Sequence, residues 1–283
     1  MKILIIGATG QLGSELVALI NGFSDKYDVL ARGSRELDIT NSNLVNEVIL
    51  SERPEVVINC AAYTKVDDCE VNKDLAFRVN TLGSRNLAIA CDKVDAKLVH
   101  VSTDYIFNGE CEEDLREYDI TGPTSVYGKT KLMGDEYVRD FCKRHFIIRV
   151  AWVYGKVGKN FVYTIMRLAK ENGVVNVVDD QIGNPTYTKD LALHILKLIE
   201  TEEYGIYNCT GSGRCSWYDF ACKIINYAKI DCKVNAVTSK EFKTLDKRPK
   251  YSSLDNMMLR ATMGDEMRSW EEALKEFIED IKE

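Results

Sequence analysis

Along the first 155 positions, apolar residues come in short, nearly unbroken runs: "KILIIG", "YDVLA", "EVVINCAA", "KLVHVST" and "FIIRVAWVYG". Runs this short and this rich in Val, Ile and Leu predict strands buried on both faces. The segments between them are long enough for crossover helices. That rhythm predicts βαβ units and a parallel sheet, with ligands bound beyond the carboxyl ends of the strands. Past about residue 155 the pattern loosens. Helices are expected from "NFVYTIMRLAKENG", "KDLALHILKLIE" and "SWYDFACKIINYA", and strands from "VVNVVDD" and "YGIYNC". The closing "WEEALKEFIEDIKE" sets Trp270, Leu274, Phe277, Ile278 and Ile281 on one helical stripe, the mark of a packing helix. No repeat and no linker rich in Gly, Pro or Ser divides the chain. The expected architecture is α/β, a doubly wound parallel sheet with a smaller C-terminal lobe packed on it.

A chain of 283 residues can bury about three quarters of the surface its unfolded form exposes, enough for a sizeable core. Its formal net charge of −7 weighs against general affinity for nucleic acid or anionic membrane and leaves small anionic ligands open. No apolar stretch approaches the length of a membrane span, and Gly7 interrupts the opening run before it resembles a signal-peptide core. Nine cysteines without a CxxC pair suit neither a zinc cage nor the disulfide framework of a small secreted domain. No metal site is assigned, and a reducing cytoplasm is the expected compartment.

Gly7, Gly10 and Gly13 fall in "GATGQLG", directly after the first strand and at the opening of a helix. This GxxGxxG spacing allows a tight turn, lets backbone approach a pyrophosphate, and permits close helix-on-strand packing, with the helix N-terminus facing the negative charge. A Rossmann-type dinucleotide site is therefore expected. An acidic residue ending the second strand would favour NAD by bonding the adenine ribose. Here "DVLA" runs into Arg32, then Ser34 and Arg35, cations where a 2′-phosphate would lie, which points to NADPH with NADH still open. Asp38 and Thr40 in "ELDIT" suit either an adenine contact or the cap of the following helix. Ala61 and Ala62, after the third strand, suit either backbone contact with the cofactor or plain packing.

The fourth strand ends in "VSTDYIF", carrying Ser102 and Thr103 to the ligand edge of the sheet. Further on, "SVYGKTKLMGDEYV" sets Tyr127 and Lys131 four positions apart, on one face of a helix. A phenol is a poor acid at neutral pH unless its anion is stabilised, and an ammonium beside it would do so. Thr103 would hold a substrate oxygen in line, Tyr127 would deliver a proton, and Lys131 would also bond the nicotinamide ribose. Each residue alone suits a structural role; together, after the glycine loop and in this order, they point to chemistry. Lys129 lies off that face and is expected in solvent.

At these residues the chain resembles the dTDP-4-dehydrorhamnose reductase family of the extended short-chain dehydrogenase/reductase superfamily. The resemblance runs through "GATGQLGSEL", "PEVVINCAAYTKVDDCE", "VNTLGSRNLA", "VSTDYIFNGE", "VYGKTKLMGDEYV", "DDQIGNPTYTKDLA" and "RPKYSSLDN". It implies catalytic Thr103, Tyr127 and Lys131. It also implies cofactor contacts at Gly10, Gln11 and Leu12, at Asp38 and Ile39, and at Ala61, Ala62, Tyr63 and Thr64, with substrate contacts at Thr103, Asp104 and Trp152. Arg32 departs from the Asp common in the family, and Tyr63 replaces a frequent His. The resemblance implies an NADP-binding Rossmann domain over 1–155, and a segment 156–283 that forms the substrate lobe and returns to the sheet. It implies reduction of dTDP-4-dehydro-β-L-rhamnose to dTDP-L-rhamnose by NADPH, and it leaves a magnesium ion and a homodimer open. Arg248 and Tyr251 could grip the substrate diphosphate. A dehydratase of the superfamily would resemble Thr-Asp-Glu where Tyr105 follows Asp104 here. An epimerase, or a non-catalytic NADP-binding regulator like the β subunit of methionine adenosyltransferase, shares the motifs and stays open.

Overall fold

The computed structural model describes residues 1–23, 25–241 and 248–282. The first part alternates as its apolar runs require: β1 (Lys2–Ile6), α1 (Gln11–Asn21), β2 (Asp28–Arg32), α2 (Ser42–Glu52), β3 (Val56–Asn59), α3 (Val66–Val71), α4 (Lys73–Ala76), a π-helical stretch Phe77–Gly83, α5 (Ser84–Lys93), β4 (Lys97–Thr103), α6 (Val126–Phe141) and β5 (His145–Val150). The second part continues with β6 (Val153–Tyr154), α7 (Phe161–Asn172), β7 (Val174–Val178), β8 (Ile182–Gly183), β9 (Thr186–Tyr187), α8 (Thr188–Ile199), β10 (Gly205–Asn208), β11 (Cys215–Ser216), α9 (Trp217–Ala228), β12 (Lys233–Val237), α10 (Met257–Thr262) and α11 (Trp270–Asp280).

The main sheet is six-stranded and parallel, in the order β10-β5-β4-β3-β1-β2. Alternate residues of β1 feed two cores. Ile3 and Ile5 pack with Leu12, Leu16 and Ile20 of α1 and Leu191, Ile195 and Ile199 of α8. Leu4 and Ile6 pack with Val45 and Ile49 of α2, Leu87 of α5 and Val138 of α6. Both faces are covered, which is why the strands read as continuous apolar runs. Strand order reverses between β1 and β3, so the crevice that opens beyond their carboxyl ends is the place for a ligand.

A third core joins α7, β7, α9 and α11 around Phe220, Ile224 and Phe277. The predicted stripe of α11 is buried through Trp270, Leu274, Phe277 and Ile278, with Ile281 at its rim. β12, which pairs with β7, is absent from the sequence reading because "KVNAV" is half exposed and lacks an apolar run. The π-helical stretch was equally illegible. It turns Asn80 inward, and Gly83 there fits because a Cβ would lie 2.6 Å from the Ile39 side chain. All nine cysteines are free. Among the described residues no helix is long and apolar enough to cross a membrane.

Candidate active site

The loop after β1 is built from backbone alone. Gly7 and Ala8 donate their N–H groups to the Arg32 carbonyl at 2.9 and 3.1 Å, and Gly10 N–H closes on the Gly7 carbonyl at 2.9 Å. Gly7 has φ +74°, and a Cβ there would stand 2.8 Å from the Ala61 amide; a Cβ on Gly13 would stand 2.3 Å from the Gly7 carbonyl. The glycines thus serve a left-handed turn and two backbone approaches. Gly10 caps α1 without a side-chain hydrogen bond, which leaves the first amides and the positive end of the helix facing the crevice. The donors and the space suit a pyrophosphate.

The adenosine side differs from the expectation. Arg32 carries its guanidinium away, 4.0 Å from the Glu52 carboxylate and 3.3 Å from its own neighbour's carbonyl, because the end of α2 offers a counter-charge. A carboxylate is present after all: Glu36 Oε2 accepts the Gly33 N–H at 2.8 Å, where Gly33 also lies against Thr9. Ser34 and Arg35 are exposed. Neither Asp38 nor Thr40 caps α2; Asn41 does, accepting from Leu44 N–H at 3.2 Å, while Asp38 Oδ1 accepts from Thr40 N–H. Ile39 is buried against α5, its carbonyl accepting from Asn86 Nδ2.

The segment after β3 is clamped at both ends. Ala61 N–H donates to Asn59 Oδ1, and Tyr63 exchanges two hydrogen bonds with the Asn80 amide, at 2.8 and 3.2 Å. Ala62 and Thr64 face the crevice; Ala61 turns into the α2–α5 core. Tyr63 packs beside Tyr127, Cys69 and Tyr105, so its ring belongs to the wall behind the phenol.

Thr103 and Tyr127 meet across the same crevice, a cleft of about 440 Å³ that also holds Gly10, Gln11 and Leu12, Asp104, Lys131 and Trp152. Ser125 caps α6 by accepting from Gly128 N–H at 3.0 Å. Gly128 is needed because a Cβ would lie 2.1 Å from the Tyr105 carbonyl, and this contact sets the start of α6 against the end of β4. Tyr127 sits edge-on to Tyr105 with ring centres 5.5 Å apart. Burial raises its pKa; a hydrogen bond with the Thr103 hydroxyl opposes that rise, and nearby Asp104 adds to it. Thr103 in turn donates to Asp104 Oδ1 at 2.9 Å. Burial pushes the Asp104 carboxyl up to about 6, with the Ser252 and Thr103 hydroxyls opposing.

Lys131 lines the same cleft as Tyr127, and its ammonium is anchored to the strand beneath. Lys131 Nζ donates to the Val101 carbonyl at 2.6 Å and lies 3.4 Å from His100 Nε2. Strand β4 supplies a carbonyl at the level the ammonium reaches, and the buried cation takes it. Ser102, which also lines the crevice, donates its hydroxyl to Asp135 at 2.6 Å. Lys129 is exposed, as expected.

Trp152 adopts a left-handed φ of +46° and stacks on Trp217, ring centres 3.5 Å apart and planes within 7°. A side chain on Gly183 would strike the Trp152 ring at 2.5 Å. Trp217, at the first position of α9, escaped the sequence reading, since one aromatic at a helix start carries no signal of a cleft 65 positions away from Trp152. Arg248 and Tyr251 are not brought into this cleft. They border a separate recess, with Arg248 3.6 Å from Asp67 and Tyr251 donating to Glu112. Among the described residues no cluster of three or more His, Cys, Asp or Glu side chains could hold a metal ion.

The family model described as "RmlD substrate binding domain" matches residues 1–283. A dTDP-4-dehydrorhamnose reductase of Aggregatibacter actinomycetemcomitans is 41% identical, over 97% of this chain and 97% of that one. The chain belongs to the dTDP-4-dehydrorhamnose reductase family. The crystal structure of the family member from Clostridium acetobutylicum is 47% identical, with a TM-score of 0.98 over the whole of both chains. The member from Bacillus anthracis, solved in complex with NADP, is 44% identical, with a TM-score of 0.96 over 99% of both. The family's Rossmann-type fold is thus the fold of this chain.

Proposed function

We propose that this chain reduces the 4-keto group of dTDP-4-dehydro-β-L-rhamnose to give dTDP-L-rhamnose, in the cytoplasm. The observation that carries the reading is the convergence of the Thr103 and Tyr127 hydroxyls in one cleft with the open N-terminus of α1. In this reading residues 1–155 hold the cofactor and 156–283 supply the substrate lobe, with β10 returning to the sheet.

A bound NADPH supplies the hydride to the carbonyl carbon. Gly10, Gln11 and Leu12 would hold its pyrophosphate on backbone amides, and Ala62 and Thr64, lining the same cleft, would contact the rest of the cofactor. When substrate binds, the Thr103 hydroxyl turns its hydrogen from Asp104 to the carbonyl oxygen, and Tyr127 gives that oxygen a proton. A phenol whose pKa is raised by burial stays protonated throughout the neutral range, as an acid must. Asp104 accepts a sugar hydroxyl. The stacked Trp152 and Trp217 rings give the sugar a flat apolar wall. Trp217→Ala is expected to raise KM for the sugar nucleotide about tenfold, with kcat nearly unchanged, in steady-state kinetics.

The test is direct. Purified protein given NADPH and dTDP-4-dehydrorhamnose should consume one reduced cofactor per dTDP-rhamnose formed. Retention of all the NADPH, with the sugar unchanged, would refute the reading. The withdrawn Arg32 and the Glu36 carboxylate at Gly33 support use of NADH as well. Its kcat/KM is expected within about tenfold of that for NADPH; a gap of three orders of magnitude would show that a cation does claim the 2′-phosphate.

A further inference from the structure

Beneath the cleft Lys131 sits in a chain of buried polar groups, and the family's motifs give its other members no role. Asn59, His100, Ser102, Lys131 and Asp135 are all 2% exposed or less. Their donors and acceptors can be assigned in order. The Ala61 amide can only donate, so Asn59 presents Oδ1 to it and Nδ2 to His100 Nδ1, 3.2 Å away. His100 Nδ1 therefore accepts, and its hydrogen resides on Nε2. That atom lies 3.4 Å from Lys131 Nζ and 3.3 Å from Asp135 Oδ1. An ammonium accepts nothing, so the Nε2–H belongs to the carboxylate side. Ser102 donates to the other oxygen of Asp135 at 2.6 Å. Asp135 Oδ1 makes no well-aligned hydrogen bond, a costly condition for a buried carboxylate oxygen unless a cation compensates it.

We propose that Asp135, held by Ser102 and His100, is a positioning residue that keeps Lys131 charged and aligned under the cleft. The proposal rests on the reductase reading for its consequence in catalysis, though not for its chemistry. Burial lowers the Lys131 amine to about 8, with Asp135 the foremost influence opposing the fall. The other groups facing this cluster do not titrate near there. Cys60, at the end of β3, is raised by burial to about 12; His100 is lowered to about 4; burial raises Tyr127, and Arg149 of β5 faces Asp135 as a guanidinium. Lys131 alone therefore governs the alkaline side: its charge is present below about pH 8 and is lost as pH rises through that value.

The experiment follows the Lys131 ¹³Cε resonance against pH in lysine-labelled protein without added cofactor, assigned with Lys131→Met, and the alkaline limb of kcat/KM in parallel. Asp135→Asn keeps the shape and the Ser102 contact but removes the charge. Its Lys131 midpoint is expected to fall by about one pH unit, and the alkaline limb to move down with it, so that kcat/KM at pH 8 drops about fivefold. A purely structural role for Asp135 would lower thermal stability and leave both midpoints in place, which would overturn the proposal. Should Asp135→Asn not fold, Ser102→Ala, which only frees one carboxylate oxygen, must shift the midpoint by a measurable fraction of a unit; an unchanged midpoint there also overturns it. A shifted resonance in a protein that never turns over the sugar would sink the reductase reading and leave the Asp135 assignment standing.

Discussion

Tyr127→Phe is expected to lower kcat/KM for the sugar nucleotide by about three orders of magnitude, the scale of a lost general acid. The ring is 9% exposed and packs edge-on to Tyr105, contacts that phenylalanine keeps. What disappears is one hydroxyl facing Thr103. NADPH affinity, read by cofactor fluorescence, should therefore change by less than about twofold, because the glycine loop and the amides of α1 are untouched. Loss of cofactor binding along with turnover would mean that the phenol holds the dinucleotide and does not serve as the acid. Equal turnover by parent and variant would remove Tyr127 from the chemistry altogether.

The second large effect is expected at Gly13. A Cβ there would stand 2.3 Å from the Gly7 carbonyl and 2.8 Å from the Ala8 Cα, both backbone atoms that yield only if the turn opens. Gly13→Val must push α1 off β1, and with it the amides at the helix start. Overpacking of this kind costs about 1–3 kcal/mol or more in stability. Moving the phosphate-facing amides out of hydrogen-bond range should weaken NADPH binding by at least about a hundredfold. Calorimetric titration and thermal melting read the two effects separately. A variant that binds NADPH as tightly as the parent would show that the pyrophosphate lies elsewhere.

The sheet was legible because its strands are buried on both faces, so "KILIIG" or "KLVHVST" leaves few readings besides a central strand. The glycine loop was legible for a similar reason: at Gly7 and Gly13 backbone approaches under 3 Å admit no other residue. Side-chain direction was not. Arg32 sits at the end of β2 as expected, but its guanidinium answers to Glu52, and a carboxylate four positions later reaches back to Gly33. Lys131 stands at the helical spacing from Tyr127 that the sequence sets, yet its ammonium takes the Val101 carbonyl. Spacing fixes where a Cα lies; a long flexible side chain then chooses among partners supplied by distant segments. Trp217 and Asp135 escaped notice on the same ground, since their partners, Trp152 and His100, are remote in sequence.

The central claim is that hydride passes from the nicotinamide to the sugar within this cleft. It is tested most directly with NADPH deuterated at the transferred position, followed by mass spectrometry and NMR of the nucleotide sugar. The account predicts one deuterium per dTDP-rhamnose formed, all of it at the sugar's C4. Tight cofactor binding with no label on the sugar, after prolonged incubation, would contradict it and favour a protein that holds NADP for regulation.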